Sequence, residues 1–302
     1  MSAEPQIATV ALSHSPLMVN DTDQREGLKF RDGMARLKSA VAAFNPSLVV
    51  FFGPDHERAL TGITPCFTVV ESAGGFAEWG LLEEDYNVPR EYAVALGDHL
   101  VEAGVDIAVA PNLRLDHGFG LSMKDLFGSP TAVPVLPILI NCIGRPLATA
   151  ARTAALGDAV GGFLRTRLPG SERVLVVGSG GISHTPPSQP PGADQMSEEE
   201  RQKLLFQQLA GAAEAIDPEW DLDFLARLGD ADWERLADLT TEDLVRAGTG
   251  GAEVRNWIAA AFAGGEPLVT VAYEPVAEWI TGMGIAASDT LVKMAGDALV
   301  TL

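Results

Sequence analysis

The chain has 302 residues, with 41 acidic side chains against 21 lysines and arginines and a formal net charge of −20 at pH 7. This length can bury a substantial core in one large domain or two smaller ones. The acidic balance disfavours a nucleic-acid backbone or an anionic membrane as a partner, because both repel negative charge, and it favours a small-molecule partner.

The cysteines and the N-terminal residues indicate the compartment. Cys66 and Cys142 lie in apolar stretches without paired spacing, which is typical of reduced thiols in a cytoplasmic protein. The first residues lack a basic region followed by a long apolar one, and no apolar run approaches the length that spans a bilayer. We therefore expect a cytoplasmic protein without membrane attachment.

Apolar runs alternate with helical patterns over more than half of the chain. Residues 7–12 predict a first strand, and apolar side chains at helical spacing from Phe30 to Val41 predict a helix. Residues 48–52 are bounded by prolines and predict a buried strand that ends abruptly. Further strands are predicted at residues 66–71, 106–110, 134–140, 173–177 and 268–273. This alternation predicts an α/β fold whose central, largely parallel or mixed sheet is covered by helices.

The pattern changes at a proline-rich run, residues 185–192, which cannot be regular structure. A predominantly helical stretch follows, and we place a helical insertion at about residues 193–263. Ser197 and Glu200 form a capping box that would begin its first helix. Because no fixed-period repeat is present, residues 1–302 are predicted to form a single domain that contains this insertion.

Four of the five histidines follow strand-like apolar runs, namely His14, His56, His117 and His184. In an open α/β sheet, ligands bind outside the carboxyl ends of the strands, so these imidazoles are expected to converge. Histidine at such a place can bind a metal, transfer protons or make structural hydrogen bonds, and the spacing alone leaves metal and structural interpretations balanced. His99 lies beside an apolar helical stripe and is predicted to be a surface or half-buried residue outside the site.

Other motifs carry weaker signals. The glycine-rich residues 178–181 could cradle a phosphate or present Ser179 as a nucleophile, but a P-loop and a nucleophile elbow both require a helix directly afterwards. Asp55 and Asp116 each precede a histidine, where they could orient a metal ligand or cap a turn. Glu253 is predicted in the first turn of a helix, where its charge would complement the helix dipole.

Five motifs in chain order resemble the class III extradiol ring-cleavage dioxygenases. They are residues 13–17, 53–56, 115–119, 178–184 and 253–257, and residues 275–284 extend the match. The resemblance therefore covers nearly the whole chain.

The resemblance also implies roles for individual residues. It implies an Fe(II) ion held by His14, His56 and Glu253. His117 and His184 would be the acid/base groups, and we favour His117 as the base and His184 as the acid. A two-histidine, one-carboxylate face leaves iron positions open for a catecholate and for O2, which would be the substrates.

The implied reaction is the insertion of O2 next to the diol of a 3-substituted catechol, such as 2,3-dihydroxyphenylpropionate, to give a 2-hydroxymuconic semialdehyde-type product. A 2-aminophenol, gallate or protocatechuate-type substrate, or a non-catalytic binding protein of the same superfamily, is an alternative. The presence of all five polar positions argues against the binding protein. Arg114 and Arg255 could bind a substrate carboxylate, but each is predicted to be solvent-exposed. A homo-oligomer is expected.

Overall fold

A computed structural model of the chain describes residues 4–188, 197–295 and residue 299, and its main feature is an eight-stranded mixed sheet flanked by helices. The strands are β1 (Gln6–Leu12), β2 (Leu48–Gly53), β3 (Phe67–Val70), β4 (Ala73–Gly75), β5 (Ala108–Ala110), β6 (Leu113–Leu115), β7 (Val135–Ile140), β8 (Arg173–Ser179), β9 (Leu268–Val276) and β10 (Thr281–Ser288). The helices are α1 (Leu28–Phe44), α2 (Arg90–Glu102), α3 (His117–Phe127), α4 (Ala150–Arg167), α5 (Glu198–Ala212), α6 (Pro218–Gly229), α7 (Trp233–Ala237), α8 (Thr241–Arg246), α9 (Val254–Gly264) and α10 (Asp289–Ala295). The predicted α/β fold is confirmed.

The order of strands in the main sheet is β5-β3-β7-β2-β8-β1-β10-β9. Strands β7, β2, β8 and β1 are parallel neighbours, whereas β3 and β10 run antiparallel to the strands beside them in this central group. Because parallel strands end at the same edge of a sheet, the residues that follow β1, β2 and β8 meet there. The sheet order thus provides the convergence that the histidine spacing predicts.

The predicted strand at residues 106–110 is only partly correct. Strand β5 is short and lies at the edge of the main sheet, and a further strand, β6, intervenes before His117. Strand β6 pairs in parallel with β4 in a separate two-stranded sheet. His117 is therefore positioned by the small sheet and by α3, and not by a strand of the main sheet.

Both faces of β2 are buried, as its unbroken apolar run predicts. Val49 and Phe51 belong to one core cluster, on the side of α1 and α3, whereas Val50 and Phe52 belong to the cluster on the side of α2 and α4. Phe51 also stacks on Phe119 of α3, with ring centroids 4.6 Å apart. Full burial of each such side chain contributes about 1.5–3 kcal/mol, so β2 and α3 are firmly joined next to the site.

The helical insertion is present, and helical structure continues in α9 to Gly264. Ser197 and Glu200 form the predicted capping box at the start of α5. The remainder of the proline-rich run and the beginning of the predicted insertion, residues 189–196, lie outside the described residues. Within the described ranges, no helix combines the length and the apolar character that crossing a bilayer requires.

Candidate functional site

The described structure brings together all five residues that the sequence predicts for the site. His14 follows β1, His56 follows β2, and His117 begins α3. His184 follows β8 and forms an isolated β-bridge with Thr281, at the start of β10. The side chains that follow these strands, although distant in the sequence, therefore lie together at one edge of the sheet.

Three imidazoles form the core of the site. One ligand nitrogen from each of His14, His56 and His117 lies within 4.8 Å of the others, which meets the distance requirement for a shared metal ion. The rings of His56 and His117 stack with centroids 4.4 Å apart and planes 13° apart. The His14 ring meets both edge-on, with centroid distances of 5.6 Å to His56 and 5.8 Å to His117.

Glu253 brings a buried carboxylate to the same place. It ends a 3₁₀ turn, Gly250–Glu253, immediately before α9, and it is only 3% exposed. Its Oε1 lies 3.2 Å from His56 Nε2 and 3.5 Å from His184 Nε2, and its Oε2 accepts a hydrogen bond from the Gly181 amide. Among the described residues, these two imidazoles are its ion-pair partners. A buried carboxylate is costly unless a positive charge compensates it, and no lysine or arginine pairs with Glu253 among the described residues. A metal cation would provide this compensation.

The hydrogen bonds of Ser179 determine which nitrogen of His14 faces the site. The Ser179 hydroxyl lies 2.9 Å from His14 Nδ1 and donates to the Gly118 carbonyl oxygen. A hydroxyl has one proton, so His14 Nδ1–H must donate to Ser179, and the lone pair is on Nε2. Ser122 supports this arrangement because its hydroxyl oxygen lies 2.8 Å from that of Ser179.

Asp116 orients His56 rather than its sequence neighbour His117. Both the backbone amide and Nδ1 of His56 donate to Asp116 Oδ2, at 2.8 and 2.9 Å. The other oxygen caps α3 by accepting from the Gly118 amide. Asp55 has the alternative role that the sequence left open, since its carboxylate accepts backbone amides of the turn at residues 58–60.

The protonation states follow from burial and from these contacts. Burial lowers the pKa of His14 to about 3, so this imidazole is neutral and can bind a cation. Burial also disfavours the imidazolium of His56, but the carboxylates of Asp116 and Glu253 outweigh it and raise the His56 pKa well above its ordinary value. His184 and His56 likewise outweigh burial at Glu253 and hold its pKa well below the usual range. The site is therefore arranged to hold positive charge.

His117 and His184 are held by different kinds of partner. Glu78 Oε1 accepts hydrogen bonds from both the backbone amide and Nδ1 of His117, at 2.8 and 3.1 Å. His184 Nδ1 lies 3.3 Å from the Ile182 carbonyl oxygen. A Cβ atom on Gly250 would come within 2.2 Å of His184 Nε2, so the ring occupies space that only glycine leaves open.

Arg255 corrects one sequence prediction. The side chain is not solvent-exposed but only 1% exposed, and it donates to the carbonyl oxygens of Ala148 and Ala252. It thereby fastens the turn that carries Glu253. Arg114 is exposed, as predicted, and it pairs with Glu83 at 2.9 Å. The two guanidinium groups are thus engaged with backbone carbonyl oxygens and with Glu83.

Sequence reasoning did not identify Glu78 or Asp221. Asp221, on α6, is fully buried and accepts from the backbone amide and hydroxyl of Ser183, next to His184, and from the Tyr273 hydroxyl. Neither acidic residue adjoins a motif, and no local pattern distinguishes it from the other acidic side chains. His99 is half-buried, as predicted, and its Nε2 lies 3.2 Å from the Ala159 carbonyl oxygen of α4.

Comparison with known proteins supports the same conclusion as the geometry. Residues 8–284 match the family described as the catalytic LigB subunit of aromatic ring-opening dioxygenase. Three similar proteins are named 2,3-dihydroxyphenylpropionate/2,3-dihydroxicinnamic acid 1,2-dioxygenase. The protein from Azotobacter vinelandii is 31% identical over 92% of this chain and 97% of its own length. The protein from Rhodococcus sp is 33% identical, covering 93% and 98%, and that from Mycolicibacterium vanbaalenii is 36% identical, covering 85% and 88%. The chain belongs to the LigB family of aromatic ring-opening dioxygenases and is an extradiol catechol dioxygenase, as its motifs predict.

Proposed function

We propose that this dioxygenase holds Fe(II) with His14, His56 and Glu253 and cleaves a 3-substituted catechol, with 2,3-dihydroxyphenylpropionate as the first candidate. The observation that carries the metal assignment is the buried Glu253 carboxylate, whose Oε1 lies 3.2 Å from His56 Nε2. Two imidazoles and one carboxylate are the donor set of many non-haem Fe(II) oxygenases. The similar proteins named for 2,3-dihydroxyphenylpropionate support the choice of substrate.

The ring orientations favour Glu253 over His117 as the third ligand. An imidazole binds a metal through a lone pair that lies in the plane of its ring. The planes of His56 and His117 are only 13° apart, with centroids separated by 4.4 Å, so their lone pairs run side by side and do not converge on one ion. His14 lies edge-on to His56, at an interplanar angle of 87°. His14 and His56 can therefore approach one ion from different directions, together with Glu253.

Fe(II) would supply open coordination positions for the diol and for O2, and the electron transfer that joins them. The remaining histidines would move protons to and from the substrate. His117, stacked on His56, would accept a hydroxyl proton. His184, on the Glu253 side, would return one. Each such general acid or base contributes about 10²- to 10⁴-fold to the rate.

The domain organisation and the cellular state are also proposals. Residues 1–302 would act as one catalytic domain, because His14 and Glu253 come from opposite parts of the chain and both are needed for the metal. The protein would be a cytoplasmic homo-oligomer. Light scattering on the purified protein would measure the oligomeric state.

The substrate assignment is tested with purified protein that has been loaded anaerobically with Fe(II). Air is then admitted with 2,3-dihydroxyphenylpropionate, 3-methylcatechol or catechol, and with protocatechuate, gallate or 2-aminophenol as the alternative substrates. We expect O2 uptake and a yellow product with the 3-substituted catechols above all. Preference for one of the alternatives would reassign the substrate, and no O2 uptake with any compound would refute the proposal.

A further inference from the structure

We propose that Glu78 is a positioning residue that orients the imidazole of His117 for proton transfer. This inference rests on the acid/base role that is proposed above for His117. Glu78 lies in the irregular segment between β4 and α2, outside every motif of the sequence.

One carboxylate oxygen fixes both the backbone and the ring of His117. Glu78 Oε1 accepts from the His117 amide at 2.8 Å and from Nδ1 at 3.1 Å. An ionised carboxylate only accepts hydrogen bonds, so the Nδ1 of a neutral His117 carries the proton. The lone pair is then on Nε2, which is the nitrogen that a base needs to take a proton from the substrate. Glu78 therefore selects the tautomer as well as the direction of the ring.

Glu78 is itself held in this position. Its second oxygen, Oε2, lies 3.3 Å from Arg58 Nη2, and the side chain is only 13% exposed. The hydrogen bond from His117, with a smaller opposing effect of burial, lowers the pKa of Glu78, so it is ionised at neutral pH. Lys124 of α3 donates to the Gly80 carbonyl oxygen and ties the segment to the helix that His117 begins.

Two observations separate this role from ordinary helix capping. The N-cap of α3 is already provided by Asp116, whose side chain accepts from the Gly118 amide, so the bond to Nδ1 is not needed to begin the helix. The next residue, Trp79, has a φ of 48°, an uncommon conformation for a non-glycine residue. Its ring lies edge-on to His117, with centroids 6.3 Å apart. The backbone thus places two consecutive side chains against the same imidazole.

The test compares Glu78→Ala, Glu78→Gln and the control Glu83→Ala. Glu83 lies in the same segment, but its side chain is 68% exposed and pairs with Arg114. Iron content, Tm, kcat and KM are measured for each variant with the substrate that the wild-type protein prefers. We expect Glu78→Ala to keep its iron and its KM while kcat falls about 10²-fold, the cost of a misplaced group. Glu78→Gln should recover part of kcat, because its amide oxygen can still accept both hydrogen bonds. Glu83→Ala should match the wild type.

The outcomes distinguish this inference from the proposed function. If the wild type opens a catechol and Glu78→Ala is as active as Glu83→Ala, the positioning role is wrong. Loss of iron from Glu78→Ala would also overturn it, because His117 would then act as a ligand. A wild type that opens no ring overturns the proposed function, and the positioning role with it. If Glu78→Ala does not fold, Glu78→Asp replaces it. The shorter side chain keeps the negative charge but is too short to accept both hydrogen bonds from His117.

Discussion

His117 and His184 border the same site but are held by different physical means. His117 is fixed by the carboxylate of Glu78, which accepts both its amide and its Nδ1–H. His184 has a backbone carbonyl as its Nδ1 partner, and its ring packs against Gly181 and Gly250. A carboxylate therefore holds His117 at Nδ1, whereas His184 combines tight packing against glycines with the Glu253 carboxylate, which lies 3.5 Å from its Nε2.

The same contrast extends to the elements behind each histidine. The His117 side rests on β2 and α3, which are joined by the stacked pair of Phe51 and Phe119. The His184 side depends on the helical insertion, because Asp221 of α6 holds Ser183 through its amide and its hydroxyl. Near His117, a substitution should therefore affect the site by removing a direct hydrogen bond. Near His184, it should act by disturbing the packing of the ring or the contact between Ser183 and the helical insertion.

The largest effect is expected from removing the proposed metal ligands. His14→Ala and Glu253→Ala should lose iron and all ring cleavage, because each removes one of the three proposed ligands. His117→Ala and His184→Ala should keep iron and lose about 10²- to 10⁴-fold in kcat, because each removes a proton-transfer group. Iron content by mass spectrometry and kcat from O2 uptake check both expectations. Equal iron content in all four variants would show that the division between ligands and acid/base groups is wrong.

Gly250→Ala tests whether tight packing positions the ring of His184. The added methyl group would lie 2.2 Å from Nε2 in the present arrangement, so the ring must move. We expect kcat to fall about 10²-fold with iron retained. The matched control is Gly211→Ala on α5, where no atom lies within 4 Å of the added methyl group. If Gly250→Ala is fully active and has a normal Tm, the position of the His184 ring beside Gly250 is not required for activity.

Ser179→Ala asks whether hydrogen bonding also controls the ligand side of the site. Without the hydroxyl, Nδ1 of His14 loses its acceptor, and the tautomer with its lone pair on Nε2 is no longer favoured. We expect about 10- to 100-fold weaker iron binding, which is the usual cost of losing such a contact, measured by anaerobic titration. Ser122→Ala is the control, because its hydroxyl contacts Ser179 and not His14, and it should have the smaller effect. Equal iron affinity in Ser179→Ala and the wild type would contradict this role.

Asp221→Asn tests the anchor behind His184 through stability. Burial raises the pKa of Asp221 from 3.8 to about 6, against the opposing hydrogen bonds from Tyr273 and Ser183. Between those pH values the folded state binds the proton and the unfolded state does not, so this group's contribution to the free energy of unfolding decreases as pH rises. A shift of this size corresponds to about 3 kcal/mol.

The two proteins are compared by urea unfolding at pH 4.5 and pH 7. Relative to the wild type, Asp221→Asn should gain about 2 kcal/mol between these pH values, because its amide does not ionise and pH 4.5 already lies above the unfolded-state pKa. Groups that are common to both proteins cancel in the difference. A difference that is independent of pH would mean that Asp221 does not titrate in this range.

The sequence by itself determined the fold class, the runs that form the central strands, the convergence of four histidines and the family. Strand runs and family motifs are local features, because they consist of neighbouring residues. His56 after β2 and His184 after β8 could be placed at one sheet edge because parallel strands share an edge.

Only the tertiary structure decided which partner each side chain has. Asp116 accepts a hydrogen bond from His56, 60 residues away, and not from the adjacent His117. His117 instead donates to Glu78, 39 residues away. Arg255 is buried although an arginine is ordinarily exposed. Such contacts depend on the order of strands and the path of irregular segments, for which the sequence has no periodic signal. The motifs therefore identified the candidate site residues, whereas residues outside the motifs set the orientation of several of these side chains.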